Sequence, residues 1–316
     1  MKVGNQFFQT PGQLTVSQEN QGQRLDQWLL TALEGSASRM EIQRWIKSGS
    51  VRGDGAVVPA RRVKEGEQYW IDPPPVVDSE TIVPVQMDFE ILYEDEELAV
   101  IHKPPGIAVH QGPGDGGKTL VSGLVHRFRE LSSGDWKGRP GIVHRLDKPT
   151  EGILLVAKNL KAHRVLSEQF LNRSVKKQYL AWLLACPPAQ SGEINAAIKR
   201  HPKDRLRMRV DATGRPSITR YRVVQTHVSR RGRKFALVEL DLLTGRTHQI
   251  RVHMSSIQCP VVGDDIYSRS SQEFKKFGLL LFAQTIEFQH PVSGDTMHFE
   301  LQPPERFARF EASLEG

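Results

Sequence analysis

Gly141-Ile142-Val143-His144-Arg145-Leu146-Asp147-Lys148-Pro149-Thr150-Glu151-Gly152 runs straight into Ile153-Leu154-Leu155-Val156-Ala157. Five consecutive apolar residues bounded by a turn signal read as a buried strand. The polar loop before it, bearing glycine and proline, is the kind of anchored loop on which functional side chains gather. Asp147 stands out within it. Its neighbours Arg145 and Lys148 favour the anionic carboxylate, which can act as nucleophile or base. The same cations can hold phosphate. Taken alone, an Arg-Leu-Asp triplet is more often a surface ion pair.

A second polar cluster lies further on: Thr244-Gly245-Arg246-Thr247-His248-Gln249-Ile250-Arg251-Val252-His253. The preceding segment, Phe235 to Leu243, reads as a strand, Thr244-Gly245 as its turn, and Thr247 to Ile257 as a helix. On that helix Thr247 and Arg251 share a face, as do Gln249 and His253. A capped basic helix with Arg251 in a salt bridge would account for the cluster structurally. Two such clusters, each beside a strongly apolar strand, call for a functional account.

Around them the pattern is mostly strand: Leu98–Ile101, Tyr179–Leu184, Leu206–Val210, Ile218–Val224 and Leu279–Phe288. Helical patterns intervene at Leu120–Phe128 and Lys161–Leu171. Strands and helices do not alternate regularly, so the expected class is α+β with a mixed, mainly antiparallel sheet. Residues 1–72 read as a separate small α/β module. Leu25, Trp28, Leu29, Ala32 and Leu33 form one helix face, and a second helix opens with a capping box, Ser38 and Glu41. Arg39, Arg44 and Lys47 line its polar side, and Val51 to Val58 read as a hairpin turning at Asp54-Gly55. Asp72-Pro73-Pro74-Pro75 opens a stiff linker, so the expected boundaries are module 1–72, linker 73–88 and main domain 89–316.

The chain has 316 residues, 38% of them hydrophobic, and a net charge of +7. That size exceeds one core, and the charge favours a polyanionic partner. No apolar run is long enough for a membrane span and no signal peptide is visible, so a cytoplasmic protein is expected. The two cysteines, Cys186 and Cys259, have no metal-type spacing. Lys199, Arg200, Lys203, Arg205, Arg207 and Arg209 form a basic run. If it is a strand, Arg205, Arg207 and Arg209 share one face and Leu206 and Met208 the other. Arg230, Arg231, Arg233 and Lys234 form a second group at an expected hairpin tip.

His144-Arg145-Leu146-Asp147 with its following strand, and Gly245 to His253, resemble the two signature motifs of the RluA-type pseudouridine synthases. Further elements agree in order: Tyr93-Glu94-Asp95, Lys103-Pro104-Pro105-Gly106, Val109-His110, Lys177-Gln178-Tyr179 and Gly263-Asp264-Asp265-Ile266-Tyr267. The match runs from about Phe89 to Pro303. Residues 22–72 resemble the RNA-binding fold named after ribosomal small-subunit protein four, a frequent companion of this family.

The resemblance implies a pseudouridine synthase fold and an isomerase needing no cofactor and no metal. Uridine's base is detached from the ribose, turned and rejoined through a ring carbon. Asp147 corresponds to the essential aspartate, which either attacks the anomeric carbon or removes a ribose proton. Tyr179 corresponds to the tyrosine that packs on the target base, Arg251 to the arginine paired with the aspartate, and Arg145 to a residue that helps displace the flipped nucleotide. The RNA contacts expected are Arg39, Arg44, Lys47, Lys199, Arg200, Arg205, Arg207, Arg209, Arg246 and His248. The chain departs from the commonest pattern at His102, Pro149, Glu151 and Ser268, which bears on fine specificity. A monomer acting on structured RNA is expected, with large-subunit ribosomal RNA favoured over transfer RNA. The competing reading of another class is a non-catalytic RNA-binding or ribosome-assembly protein on the same fold. Intact Asp147, Tyr179 and Arg251 count against it.

Overall fold

The computed structural model describes residues 12–33, 37, 39–72, 82–110, 118–132, 139–268 and 272–315. They form two compact units, 1–81 and 82–316.

The first unit holds β1 (Gly12–Thr15), α1 (Leu25–Ala32), α2 (Arg39–Ser48), β2 (Val51–Gly53) and β3 (Gln68–Ile71). The strands pair antiparallel in the order β1-β3-β2. Leu25, Trp28 and Leu29 of α1 and Ile42 and Ile46 of α2 pack with Tyr69 and Ile71 into one core. Fully buried Asp26 accepts bonds from Arg24 at 3.0 Å, Arg39 at 3.1 Å and Gln43 at 2.8 Å. The bond from Arg24, with those from Gln43 and Arg39, holds its carboxyl far below the usual range against the cost of burial. Arg39, expected as an RNA contact, is therefore partly committed to the fold. The expected hairpin within Val51–Val58 is not there. Gly55 does take a positive φ of 73°, but β2 pairs with β3, so the chain between Asp54 and Glu67 forms a longer loop. The Ser38 and Glu41 capping box falls on side chains outside the described residues.

The second unit opens with residues 82–88, expected as linker. Here they are extended chain laid on the unit: the Val85 amide donates to the Ser122 carbonyl at 3.0 Å, and Met87 packs on the core. The elements that follow are β4 (Glu90–Glu94), β5 (Leu98–Lys103), α3 (Leu120–Arg127), β6 (Glu151–Ala157), α4 (Leu160–Leu171), β7 (Lys176–Leu183), β8 (Ser191–Asn195), β9 (Ile198–Arg200) and β10 (Met208–Val210). Next come β11 (Ile218–Val228), β12 (Lys234–Leu242), α5 (Gln249–Ser256), β13 (Leu281–Gln289), β14 (Thr296–Glu300) and α6 (Glu305–Glu315). The main sheet runs β4-β5-β6-β13-β7-β12-β11-β8, with β14 on β13. Every pairing is antiparallel except β6 with β13, which gives the mixed, mostly antiparallel α+β architecture expected.

β6 is buried at all seven positions. Its side chains alternate between the sheet faces: Leu154 and Val156 join the core under α3, while Ile153, Leu155 and Ala157 join the core under α4. Two covered faces explain the unbroken apolar run. α4 starts at Asn159, whose side chain caps the Ala162 amide. The expected strand Leu206–Val210 shrinks to Met208–Val210. Arg205 and Leu206 sit in a turn, and Leu206 is 76% exposed, so the residues do not alternate as drawn from the sequence. In the β9–β10 ladder Arg209 faces Lys199, while Arg200 faces Met208.

Candidate active site

Strand register brings the first cluster to Tyr179. Gly152, at the start of β6, pairs with Ala283 of β13, and Ala283 pairs with Tyr179 of β7. One row across three strands thus joins the end of the Asp147 loop to the tyrosine. Gly152 has φ 129°, and a Cβ there would come within 2.2 Å of the Ala283 carbonyl oxygen. Only glycine lets β6 and β13 meet at this point. On β12, Leu240 pairs with Tyr179, so the strand's end delivers Thr244 and the following loop to the same place.

The result is a cavity of about 410 Å³ lined by both motifs and by Phe170, Arg173, Lys177 and Tyr179. Asp147 keeps 15% of its side chain exposed. Arg145 is exposed at the cavity, its Nη1 lying 3.4 Å from His110 Nε2. His144 stacks on Phe170 at 4.7 Å and accepts the Leu155 amide through Nε2 at 2.8 Å. Burial, with the charge of Lys177, lowers the His144 pKa to about 3. The ring is therefore a neutral strut between loop and β6. Behind Asp147, the buried Lys103 ammonium donates to the carbonyls of Pro104 at 2.8 Å, Ile107 at 2.9 Å and Lys148 at 3.3 Å. Burial lowers its pKa to about 8, opposed by the charges of Asp147 and Glu151.

α5 begins at Gln249, later than expected, because His248 takes the left-handed conformation at φ 56°. Gln249 and His253 do share a face. Gln249 Nε2 donates to Thr219 Oγ1 at 3.0 Å, and His253 Nδ1 lies 2.9 Å from the same oxygen. His253 Nε2 faces the Ala196 carbonyl at 2.8 Å. A carbonyl only accepts, so the proton sits on Nε2 and the Thr219 hydroxyl donates to Nδ1. These bonds fix the helix that carries Arg251.

Arg251 is 1% exposed. Its main partner is Asp264, met in a fork by Nε and Nη2, each at 2.8 Å. Asp264 also accepts the amides of Ile266 and Tyr267, both at 2.9 Å. Nη2 reaches Asp265 at 3.2 Å, and Nη1 faces Asp147 at 3.8 Å. Burial disfavours the guanidinium charge, but Asp264, with Asp147 and Asp265, raises the pKa against it. Arg251 is thus clamped by one buried carboxylate and presented to a second, more exposed one. The expected Arg251–Asp147 pairing is present as this looser contact.

Tyr179 is 6% exposed, and among the described residues its hydroxyl has no hydrogen bond. Burial and the Asp147 charge raise its pKa. Tyr267 lies under the Arg251 guanidinium at 5.3 Å and under that of Arg207 at 5.6 Å. Its oxygen accepts the Met208 amide at 2.7 Å and lies 2.9 Å from His248 Nδ1. This tyrosine fastens the basic β9–β10 hairpin to the site. Along that hairpin Lys199 bonds Thr213, Arg209 pairs with Asp211, Arg200 donates to the Arg205 carbonyl, and Arg205 and Arg207 are exposed. Arg246 bonds the Pro216 carbonyl at 3.2 Å. Arg44 and Lys47 are exposed on the first unit.

Glu151 lies outside the cavity. It binds His102 at 3.1 Å and Arg306 of α6. Burial would raise its pKa, but the His102 bond and the Arg306 charge lower it. The bond to Glu151 in turn raises that of His102 against burial. Two of the unusual positions therefore satisfy each other. Sequence reasoning gave no role to Asp264, Lys103, Lys177 or Tyr267. The motif Gly263-Asp264 carried a signal for the first: Gly263 has φ 73°, and a Cβ there would overlap the Gly278 carbonyl, so the turn presenting Asp264 demands glycine. Among the described residues no group of three His, Cys, Asp or Glu could hold a metal ion, and no helix is long and apolar enough to cross a membrane.

The sequence model of one protein family, RNA pseudouridylate synthase, matches residues 97–256. Ribosomal large subunit pseudouridine synthase D of Xylella fastidiosa (strain Temecula1) is 39% identical over 96% of this chain and 92% of its own. The uncharacterized RNA pseudouridine synthase YlyB of Bacillus subtilis (strain 168) is 38% identical over 95% of this chain and 97% of its own. Among solved structures, Human RNA Pseudouridylate Synthase Domain Containing 1 aligns with TM-score 0.56 and 28% identity, covering 69% of this chain and 84% of that one.

Proposed function

Because the chain belongs to the RluA-type RNA pseudouridine synthases, isomerases acting on RNA, we propose that Asp147 is its catalytic carboxylate and large-subunit ribosomal RNA its substrate. The observation that carries the site is one geometry: Asp147, facing Arg251 Nη1 at 3.8 Å, shares a cavity with Tyr179, whose hydroxyl has no hydrogen bond among the described residues. The substrate follows the names of several relatives, including those at 39% and 37% identity.

The reaction breaks the bond from the anomeric carbon to a ring nitrogen and forms one to a ring carbon. The proton lost from that carbon is balanced by one gained at nitrogen, so nothing is added overall. Asp147 acts on the ribose, either at the anomeric carbon or on a ribose proton. Arg251 fixes the aim of the carboxylate and favours its charge. Tyr179 offers a ring face to a base that has left its stack, and Arg145 at the mouth takes the place the base vacates. The cations of β9, β10 and the turn between them neutralise backbone phosphate. Lys199 opposite Arg209 is a like-charge cross-strand pair that Asp211 partly offsets through Arg209 and that a polyanion offsets further. In the first unit, Arg44 and Lys47 add phosphate contacts.

Asp147→Asn keeps the size and removes the anion. On ribosomal RNA transcripts its turnover should fall at least about a thousandfold, with RNA binding retained. Turnover within tenfold of the parent would remove Asp147 from the reaction.

A further inference from the structure

Lys177 has no role in the reaction as described, yet it lines the cavity. It lies two residues before Tyr179 on β7, so both side chains leave the same face, about 6.6 Å apart along the strand. Its ammonium sits over the Phe170 ring at 5.2 Å. Among the described residues no carboxylate lies within ion-pair distance. Burial alone lowers its pKa to about 8. Lys177 is half-buried, and a cation drawn partly out of water without an anion is costly.

Gly245 points the same way. Its φ is not positive, so the backbone does not require glycine there. Packing does not require it either, because the one atom a Cβ would meet within 4 Å is Lys177 Nζ, at 4.0 Å. The missing side chain leaves open the space in front of the ammonium.

We propose that Lys177 and the space beside Gly245 form a phosphate subsite, which holds a backbone phosphate flanking the flipped uridine. This rests on the assignment of the cavity as the uridine site. Phosphate is favoured over the base itself by position. Lys177 lies about 6.6 Å along β7 from Tyr179, whose ring takes the base, and its ammonium faces Phe170 and Gly245. RNA brings a negative charge at every nucleotide, and an ammonium on a flexible stem meets phosphate oxygens as a point charge.

The test uses the full-length protein, an RNA transcript that the parent modifies, and three variants whose thermal unfolding is checked first. Lys177→Met should raise KM about tenfold, more than it lowers kcat. It should also flatten the plot of log binding constant against log salt by about 0.7 to 0.9, the share of one phosphate. Lys177→Arg should restore the slope. Gly245→Val, which covers the ammonium without removing its charge, should reproduce the rise in KM. An unchanged slope in Lys177→Met, or a parental KM in Gly245→Val, would overturn the subsite. So would a loss confined to kcat, which would give the ammonium to the base oxygens. The salt slope is an equilibrium quantity measured without turnover, so it stands apart from the Asp147→Asn result that tests the cavity's role.

Discussion

At the scale of single residues, the contact between Arg251 and Asp147 depends on a second carboxylate that does not line the cavity. Asp264 is fully buried and takes both arms of the Arg251 fork. Asp264→Asn would turn an amide donor toward the guanidinium and leave this buried charge only exposed Asp265 and the looser contact to Asp147. Breaking such a pair costs about 3 to 5 kcal/mol. The variant should unfold at lower denaturant and lose at least about a hundredfold in kcat, with a smaller change in RNA affinity. Parental kcat would show that Arg251 needs no clamp. Asp147 and Arg251 were legible in the sequence because each sits inside a dense local motif. Asp264 was quoted within a motif but had no readable role, since its partner lies thirteen residues away and the pairing exists only after α5 and the Gly263 turn pack together. Lys177 was illegible for a related reason. Its surroundings are Phe170 and the loop beyond β12, which the sequence does not place beside it.

At the scale of elements, β6 was readable because burial on both faces leaves a continuous apolar run. The basic segment before β10 was misread because alternation alone does not distinguish a strand from a turn with an exposed leucine. The hairpin of the first unit was misread because β2 takes its partner from beyond a loop rather than across the nearest turn. The meeting of β6 with β13 hangs on Gly152. Gly152→Ala forces a Cβ to 2.2 Å from the Ala283 oxygen at a φ that alanine resists. Strand separation there should cost about 3 kcal/mol or more, and turnover should fall with it because the Asp147 loop ends at this point. Denaturant melts and turnover on one preparation are the check. A Gly152→Ala protein as stable as the parent would show that the two strands tolerate a wider gap.

At the scale of the molecule, each unit has its own core, so the second should fold without the first. Removing residues 1–81 should leave isomerisation of a short stem-loop given in excess. It should flatten the salt dependence of binding by about 1.5 if Arg44 and Lys47 each touch a phosphate. An unchanged slope would remove the first unit from the RNA contact. The strand order of the second unit carries a consequence in time. β6 ends at Ala157 and β7 starts at Lys176, yet β13, starting at Leu281, lies between them. Until that segment, distant in sequence, inserts, the edges of β6 and β7 that it covers stay unpaired on either side of its slot, and such long-range pairing is slow and open to aggregation. The row from Gly152 to Tyr179 does not exist before then, so catalysis should have no partly folded precursor. On refolding, Trp182, whose amide bonds Leu280 at the head of β13, should report the same rate constant as returning activity. Activity that reappears ahead of the Trp182 signal would mean the site assembles with the slot still open.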